Sequence, residues 1–298
     1  MENVINIHRR NFPSHLSSYG DADFDISLKS LYYQTEHTVN GTKVNKKAIV
    51  RTDTNQCLGI VGPRYKAINH RDMIDNQRSI IGRSGLDTDN IREQIVTDRN
   101  GARCYVTHTL PNEFLETPDG DTAALTFLGV NSFDGLFSFM ISAGARQSAC
   151  MNGQIFTEGS STLYKSRHTQ QLDIHKGSRI VAFGLEVMMQ QNELWKRWYN
   201  STASADMIND IFSAATGMDP FEDKRFNNKN FIQLNKLYRD SYSQKQGHNL
   251  WAVYNSLTHW ATHCQSTRKG SSTIAMKNRR ANKVSEVISN DRLFREVA

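Results

Sequence analysis

Residues 57 to 70 read Cys-Leu-Gly-Ile-Val-Gly-Pro-Arg-Tyr-Lys-Ala-Ile-Asn-His, and the change of texture inside this stretch decides the fold class. Cys57 to Val61 is a short β-prone run, and a similar run, Ala48 to Thr54, precedes it across the turn-forming Asp53-Thr54-Asn55. Gly62-Pro63 then interrupts, because proline fixes φ and has no N–H to give a ladder. Asn69 stands where a helix needs its N-cap, and Met73, Ile74, Ile80 and Ile81 follow at helical spacing from His70. The unit reads as two strands and a helix, with Arg64-Tyr65-Lys66 offering a further short strand between them.

Outward from this unit the same rules extend the pattern. Ala102 to Leu110 alternates as a strand, and Ala124 to Asn131 with Leu136 to Ala143 reads as a hairpin around Ser132-Phe133-Asp134-Gly135. Beyond about Arg167 the period becomes helical, with Ile180, Gly184, Val187, Gln191, Leu194, Trp195 and Trp198 on one face. Asp206 to Ala215, Asn230 to Gln244 and Asn249 to Cys264 continue as helices, and Ser266 to Thr273 has linker composition. Residues 1–45 are polar, carry the acidic cluster Asp21, Asp23 and Asp25, and read as an irregular arm with short elements. The predicted fold class is α+β: a twisted antiparallel sheet over residues 45 to 157, helices on one face and a mostly helical C-terminal third. The expected organisation is an arm (1–45), a single core domain (46–265) and a basic tail (266–298) with a weak helical stripe through Val284, Val287, Ile288 and Phe294.

Composition narrows the class of function. With 298 residues, 38% hydrophobic and 22% charged, the chain can bury a core, and its mean hydropathy of −0.58 is that of neither a membrane protein nor a wholly disordered one. No apolar run approaches the roughly 18 to 20 residues that span a bilayer. The opening Met-Glu-Asn-Val-Ile-Asn-Ile-His-Arg-Arg lacks the apolar region of a secretory signal, so an unprocessed soluble chain is expected. Cys57, Cys104, Cys150 and Cys264 are scattered without a Cys-x-x-Cys pair, which suits a reducing cytoplasm. The net charge is +6, and from Arg268 onward eight basic residues face three acidic ones, a surplus of +5. Such a tail suits an anionic polymer better than a small acidic substrate, although a solvated helix would carry the same charges.

Three segments, in this order, resemble one family. They are Leu58-Gly59-Ile60-Val61-Gly62-Pro63-Arg64-Tyr65-Lys66; Cys150-Met151-Asn152-Gly153 followed by Arg167-His168-Thr169; and Leu250-Trp251-Ala252-Val253-Tyr254-Asn255-Ser256-Leu257-Thr258 ending in His263. Together they resemble the phage/plasmid-like proteins grouped as domain of unknown function 932, over about residues 45 to 265. The chain departs from the family pattern at Ser148-Ala149, where an apolar pair is usual, and at Thr262, where an aspartate is expected, and so resembles a divergent member. The resemblance implies a phage, prophage or mobile-element origin and hence a host cytoplasm; it implies no settled activity.

Chemistry must therefore come from the residues. Gly59 to Lys66 is no nucleotide cradle, since a P-loop needs Gly-x-x-x-x-Gly-Lys-Ser/Thr and Pro63 removes a donor. On a strand, Arg64 and Lys66 would share one face and Tyr65 the other, a cationic and aromatic edge suited to single strands; the competing reading puts Tyr65 in the core. His259 and His263 stand four apart, a spacing at which two imidazoles can share a metal, but no third ligand or intervening Glu accompanies them, and a hydrogen-bonded stripe with Asn255 explains them as well. Cys150 with His168 invites a nucleophile-base reading, whereas a buried cysteine beside a polar patch of Arg146, Asn152, Arg167 and His168 accounts for the same residues. Trp195 and Trp198 read as core anchors.

The sequence thus predicts a non-catalytic DNA-binding protein, of single-strand binding or annealing type, in phage replication or recombination. Its nucleic-acid contacts are expected at Arg64, Tyr65, Lys66, Arg146, Arg167, Lys277, Arg279, Arg280 and Lys283, with no cofactor, no membrane and homo-oligomerisation left open. The alternatives are a phage enzyme acting on nucleic acid or protein, and a structural or host-interaction protein.

Overall fold

Pairing of short, β-rich segments builds two antiparallel sheets, and helices follow them, so the α+β class with a helical C-terminal third is the observed one. The computed structural model describes residues 16, 18–34, 41–147, 163–177, 184–265, 273–290 and 292–294. The first sheet has the order β1 (Ile26–Tyr33), β2 (Thr42–Arg51) and β3 (Cys57–Val61). The second has the order β4 (Arg92–Asp98), β5 (Arg103–Glu116), β6 (Thr122–Ser132), β7 (Phe139–Gln147) and β8 (Leu163–Ser166). The single expected sheet is therefore two, and the first draws its outer strand from the segment read as an arm. That strand is inconspicuous because its sequence, Ile-Ser-Leu-Lys-Ser-Leu-Tyr-Tyr, leaves Leu28, Tyr32 and Tyr33 in solvent and lacks the clean alternation of a half-buried strand.

The chain divides into two compact units: residues 1–113, 127–142 and 164–182 form one, and 114–126, 143–163 and 183–298 the other. In the first unit, helix α1 (His70–Arg83) lays Met73 and Ile74 against Cys104 and Val106 of β5 and Phe139 and Ile141 of β7. A neighbouring cluster joins Ile49, Leu58 and Val61 of the first sheet to Phe24, Ala102 and Phe133. Gly59 is required there, because a Cβ at that position would stand 2.5 Å from the Phe133 carbonyl oxygen and 2.6 Å from the Asp134 Cα. A buried ion cluster ties the helix to the second sheet: Arg78 donates to Glu93 at 2.8 and 2.6 Å, and His108 meets the same carboxylate at 2.6 Å. Burial opposes the Glu93 charge, yet the hydrogen bonds from His108 and Arg78 hold its carboxyl below the usual range.

The second unit is helical beyond its strand ends: α2 (Gly184–Asn200), α3 (Ala205–Thr216), α4 (Lys229–Leu237), a π turn (Tyr238–Tyr242), the single turn α5 (Ser243–Gln246), α6 (Leu250–Thr262) and α7 (Thr273–Ile288). Side chains set the helix starts. Ser204 accepts from the Met207 N–H, Asn228 from those of Asn230 and Phe231, and Asn249 from that of Ala252. Gly217, at φ 72°, ends α3 in the left-handed region. Helix α6 is buried from Leu250 to Thr258 and again at Trp260 and Ala261, a central helix enclosed on all sides. Its Asn255 amide, part of the expected polar stripe, donates to Gln246 at 3.2 Å. Trp195 and Trp198 are core residues, packed on Tyr254. Residues 266–272 of the expected linker and Ile180 lie outside the described residues, and Thr273, its last residue, opens α7. Among the described residues, no helix is long and apolar enough to cross a membrane.

His70, at the first turn of α1, gives the fold an acid limit. Its Nδ1 accepts from the Asn131 amide at 2.9 Å and its Nε2–H donates to the Gly101 carbonyl at 2.8 Å, a pairing that uses the neutral ring. Burial pushes its pKa from 6.5 down to about 4, the Gly101 carbonyl working in the opposite direction. The unfolded chain therefore takes up a proton that the folded one refuses: stability is complete above pH 6.5 and is lost as pH falls toward 4. Buried His108 and His168 shift in the same direction. Chemical denaturation across this window should show falling stability, and His70→Gln should remove up to about 1.4 kcal/mol per pH unit from the slope.

Candidate nucleic-acid interface

The segment that follows β3 contains no strand: Pro63 and Arg64 form a turn, and residues 65–69 have no regular structure. The expected alternation, with two cations on one face and a tyrosine on the other, therefore does not arise. Each side chain instead takes its place from a partner distant in sequence. The Tyr65 hydroxyl donates to the Ser132 carbonyl at 2.6 Å, and its ring stacks on His168 with centroids 4.7 Å apart and planes 14° from parallel. Burial pushes the Tyr65 phenol well above its usual pKa. Lys66 donates through Nζ to the Leu172 carbonyl at 2.7 Å. Its backbone clasps His168 reciprocally: the Lys66 N–H donates to the His168 carbonyl, and the His168 ring donates through Nδ1 to the Lys66 carbonyl, both at 3.1 Å. Arg64 and Arg167, which immediately precede Tyr65 and His168 in the chain, are exposed.

His168 is thus a buried, hydrogen-bonded ring, and burial lowers its pKa. The cysteine with which it would form a dyad, Cys150, lies outside the described residues, as does Asn152. Arg146 lies on β7. In the second unit His259 and His263 come edge to face at 5.3 Å, and His259 Nδ1 is 2.8 Å from the Tyr242 hydroxyl. The π turn sets that hydroxyl, just as it sets Tyr238 against His248 at 3.0 Å. Among the described residues, no group of three or more His, Cys, Asp or Glu side chains could hold a metal ion.

The basic residues of the tail sort by burial. Arg280 is only 7% exposed; its guanidinium donates to the carbonyls of Trp260 (2.9 Å) and Cys264 (2.8 Å) and to the Asn230 amide oxygen (3.1 Å), and lies 4.4 Å over the Trp260 ring. It caps the carbonyl end of α6 and holds α7 there. Burial lowers its pKa. Arg279 and Lys283, one turn apart, are exposed instead and line a cleft of about 540 Å³. Trp260, Arg280, Asn230 and the Ala215-Thr216-Gly217 end of α3 line it with them. Lys283 pairs with Glu286 at 2.8 Å in solvent, a contact of the kind that an incoming anion displaces at little cost. Lys277 is half-buried on the same helix.

Of the nine residues read as nucleic-acid contacts, the structure gives exposed cations at Arg64, Arg167, Arg279 and Lys283, and internal roles to Tyr65, Lys66 and Arg280. Charge alone could not separate the two groups. A family model described as domain of unknown function (DUF932) matches residues 57–284. No curated protein and no solved structure matches the chain significantly.

Two substitutions test the sorting by thermal and chemical melting. Tyr65→Phe keeps the stack and strands the Ser132 carbonyl, at about 1 to 3 kcal/mol. Arg280→Ala strands several buried acceptors and should cost at least about 2 kcal/mol, whereas the exposed Arg279→Ala should stay within about 0.5 kcal/mol of the parent.

Proposed function

The chain belongs to the family of domain of unknown function 932, and from that premise and its own surface chemistry we propose that it is a non-catalytic single-strand DNA-binding protein. It serves replication or recombination of a phage or other mobile element, in the host cytoplasm. One observation carries the reading: Arg279 and Lys283 stand exposed, one turn apart, at a cleft lined by Trp260 and the buried Arg280. A positive ridge held rigidly by an anchored helix can follow phosphates without base recognition. The chain's surplus of positive charge supports the same partner.

The anchoring of Arg280 dictates how this is tested. Removing the whole tail would remove the cap on α6 along with the surface cations, so point variants are required. A fluorescent oligothymidylate strand titrated with the full chain at a series of salt concentrations should bind more weakly as salt rises. Arg279→Ala/Lys283→Ala should weaken binding and reduce the logarithmic salt slope by about 1.4, since each phosphate left unneutralised on a single strand lowers it by about 0.7. Binding with an unchanged slope rules out this ridge, and absence of any salt-dependent binding by the parent rules out the function.

A further inference from the structure

Strands β1 and β2 carry a second cluster that neither the family resemblance nor the α7 ridge accounts for. Neither strand contains an aspartate or glutamate, yet they hold Lys29, Lys43, Lys46 and Lys47. Lys29, Lys43 and Lys46 are exposed, and among the described residues no ion pair claims any of the four; the nearest carboxylate pairing joins Arg51 to Asp53. Beside them, Tyr32 is 60% and Tyr33 53% exposed. Tyr32 stands directly opposite Lys43 in the strand register, which puts ring and ammonium side by side on one face. The register also slips: Lys47 pairs with Ser30 and Val44 with Leu31, so Asn45 and Lys46 have no partners in β1. Such a bulge re-aims the side chains it frees.

Lysines on an outer strand commonly serve to block pairing with another chain's edge, and β1 is an outer strand. That role accounts for Lys29 alone, since Lys43, Lys46 and Lys47 stand on β2, the middle strand. It does not explain two adjacent tyrosines left more than half in solvent, where each exposes a large ring that a core would bury. A ring beside cations on strands that carry no carboxylate has the chemistry of a stacking platform: the ring takes a base face, and the ammonium groups take the neighbouring phosphates.

We propose that the β1–β2 ribbon binds single-stranded DNA on the face that carries Tyr32, with Tyr32 as the stacking residue and its register neighbour Lys43, together with Lys46 at the bulge, as phosphate contacts. This rests on the nucleic-acid reading above and assigns it a second site in the other unit. Full-length protein is titrated with an oligothymidylate strand and with a duplex of the same length. Tyr32→Ala should weaken single-strand binding about tenfold with an unchanged salt slope, and Tyr32→Phe should restore it. Lys43→Ala/Lys46→Ala should weaken it and lower the slope by about 1.4. Tyr32, Lys43 and Lys46 are exposed, so melting temperatures should match the parent's; should the tyrosine variant melt early, the lysine variant decides. If the parent binds the strand but both ribbon variants bind it with the parent's affinity and slope, the ribbon is not a site, while the α7 ridge can still carry the function. Equal weakening for strand and duplex overturns the stacking role. A parent that binds neither overturns the functional reading itself.

Discussion

A segment without regular structure runs from Gly62 to Asn69 between a sheet and a helix, and from Tyr65 onward it is partly or wholly withdrawn from solvent. Its polar groups cannot be satisfied by a ladder or a helical turn, so they must be met from elsewhere. Ser132 receives the Tyr65 hydroxyl, Leu172 the Lys66 ammonium and Lys66 the His168 ring, while Asn131 reaches the Ile68 carbonyl at 2.7 Å. Three distant parts of the chain are fixed by this one requirement. The entry angle of α1 follows, and with it the faces that Met73 and Ile74 bring to β5 and β7.

The same requirement explains what is legible in the sequence. Helix starts can be read, because Asn69 and Asn249 precede apolar periodic runs, and the strands around Ser132 can be read from their turn. The Arg64-Tyr65-Lys66 triplet defeats such reading because alternation is a property of strands, and nothing local reveals that Gly62-Pro63 has ended one. Helix α6 is read more nearly: of the hydrogen-bonded stripe expected at Asn255, His259 and His263, Asn255 meets Gln246 and His259 meets Tyr242, and what the sequence does not reveal is that the rest of the helix is enclosed as well. The sheet strand at Ile26–Tyr33 lacks a burial signal altogether, since its exposed tyrosines and lysine are what its sequence displays.

Net charge is the weakest guide to the surface. Arg78, Arg103 and Arg280 are all buried and committed, to Glu93, to Asp134 and to a set of carbonyl and amide oxygens respectively. Arginine suits such positions because its planar fork can satisfy several acceptors at once. The exposed cations include Arg279 and Lys283 on α7, the latter in a solvent pair with Glu286, and Lys29, Lys43 and Lys46 on the first sheet. Which arginines and lysines are spent inside and which face solvent is a property of the folded chain that a count of charges does not reveal.

The order in which the two units alternate along the chain also constrains how the molecule comes into being. The first unit recruits residues 127–142 and 164–182 after the second has already contributed residues 114–126, and the second resumes at 143. No single cut separates them into two intact pieces. During synthesis the first unit must wait for Leu172, the acceptor of Lys66, to leave the ribosome, by which time segments of the second have emerged unpartnered. Premature termination anywhere before that point would leave both units incomplete, so a truncated product is expected to be a substrate for proteolysis and not a functional half.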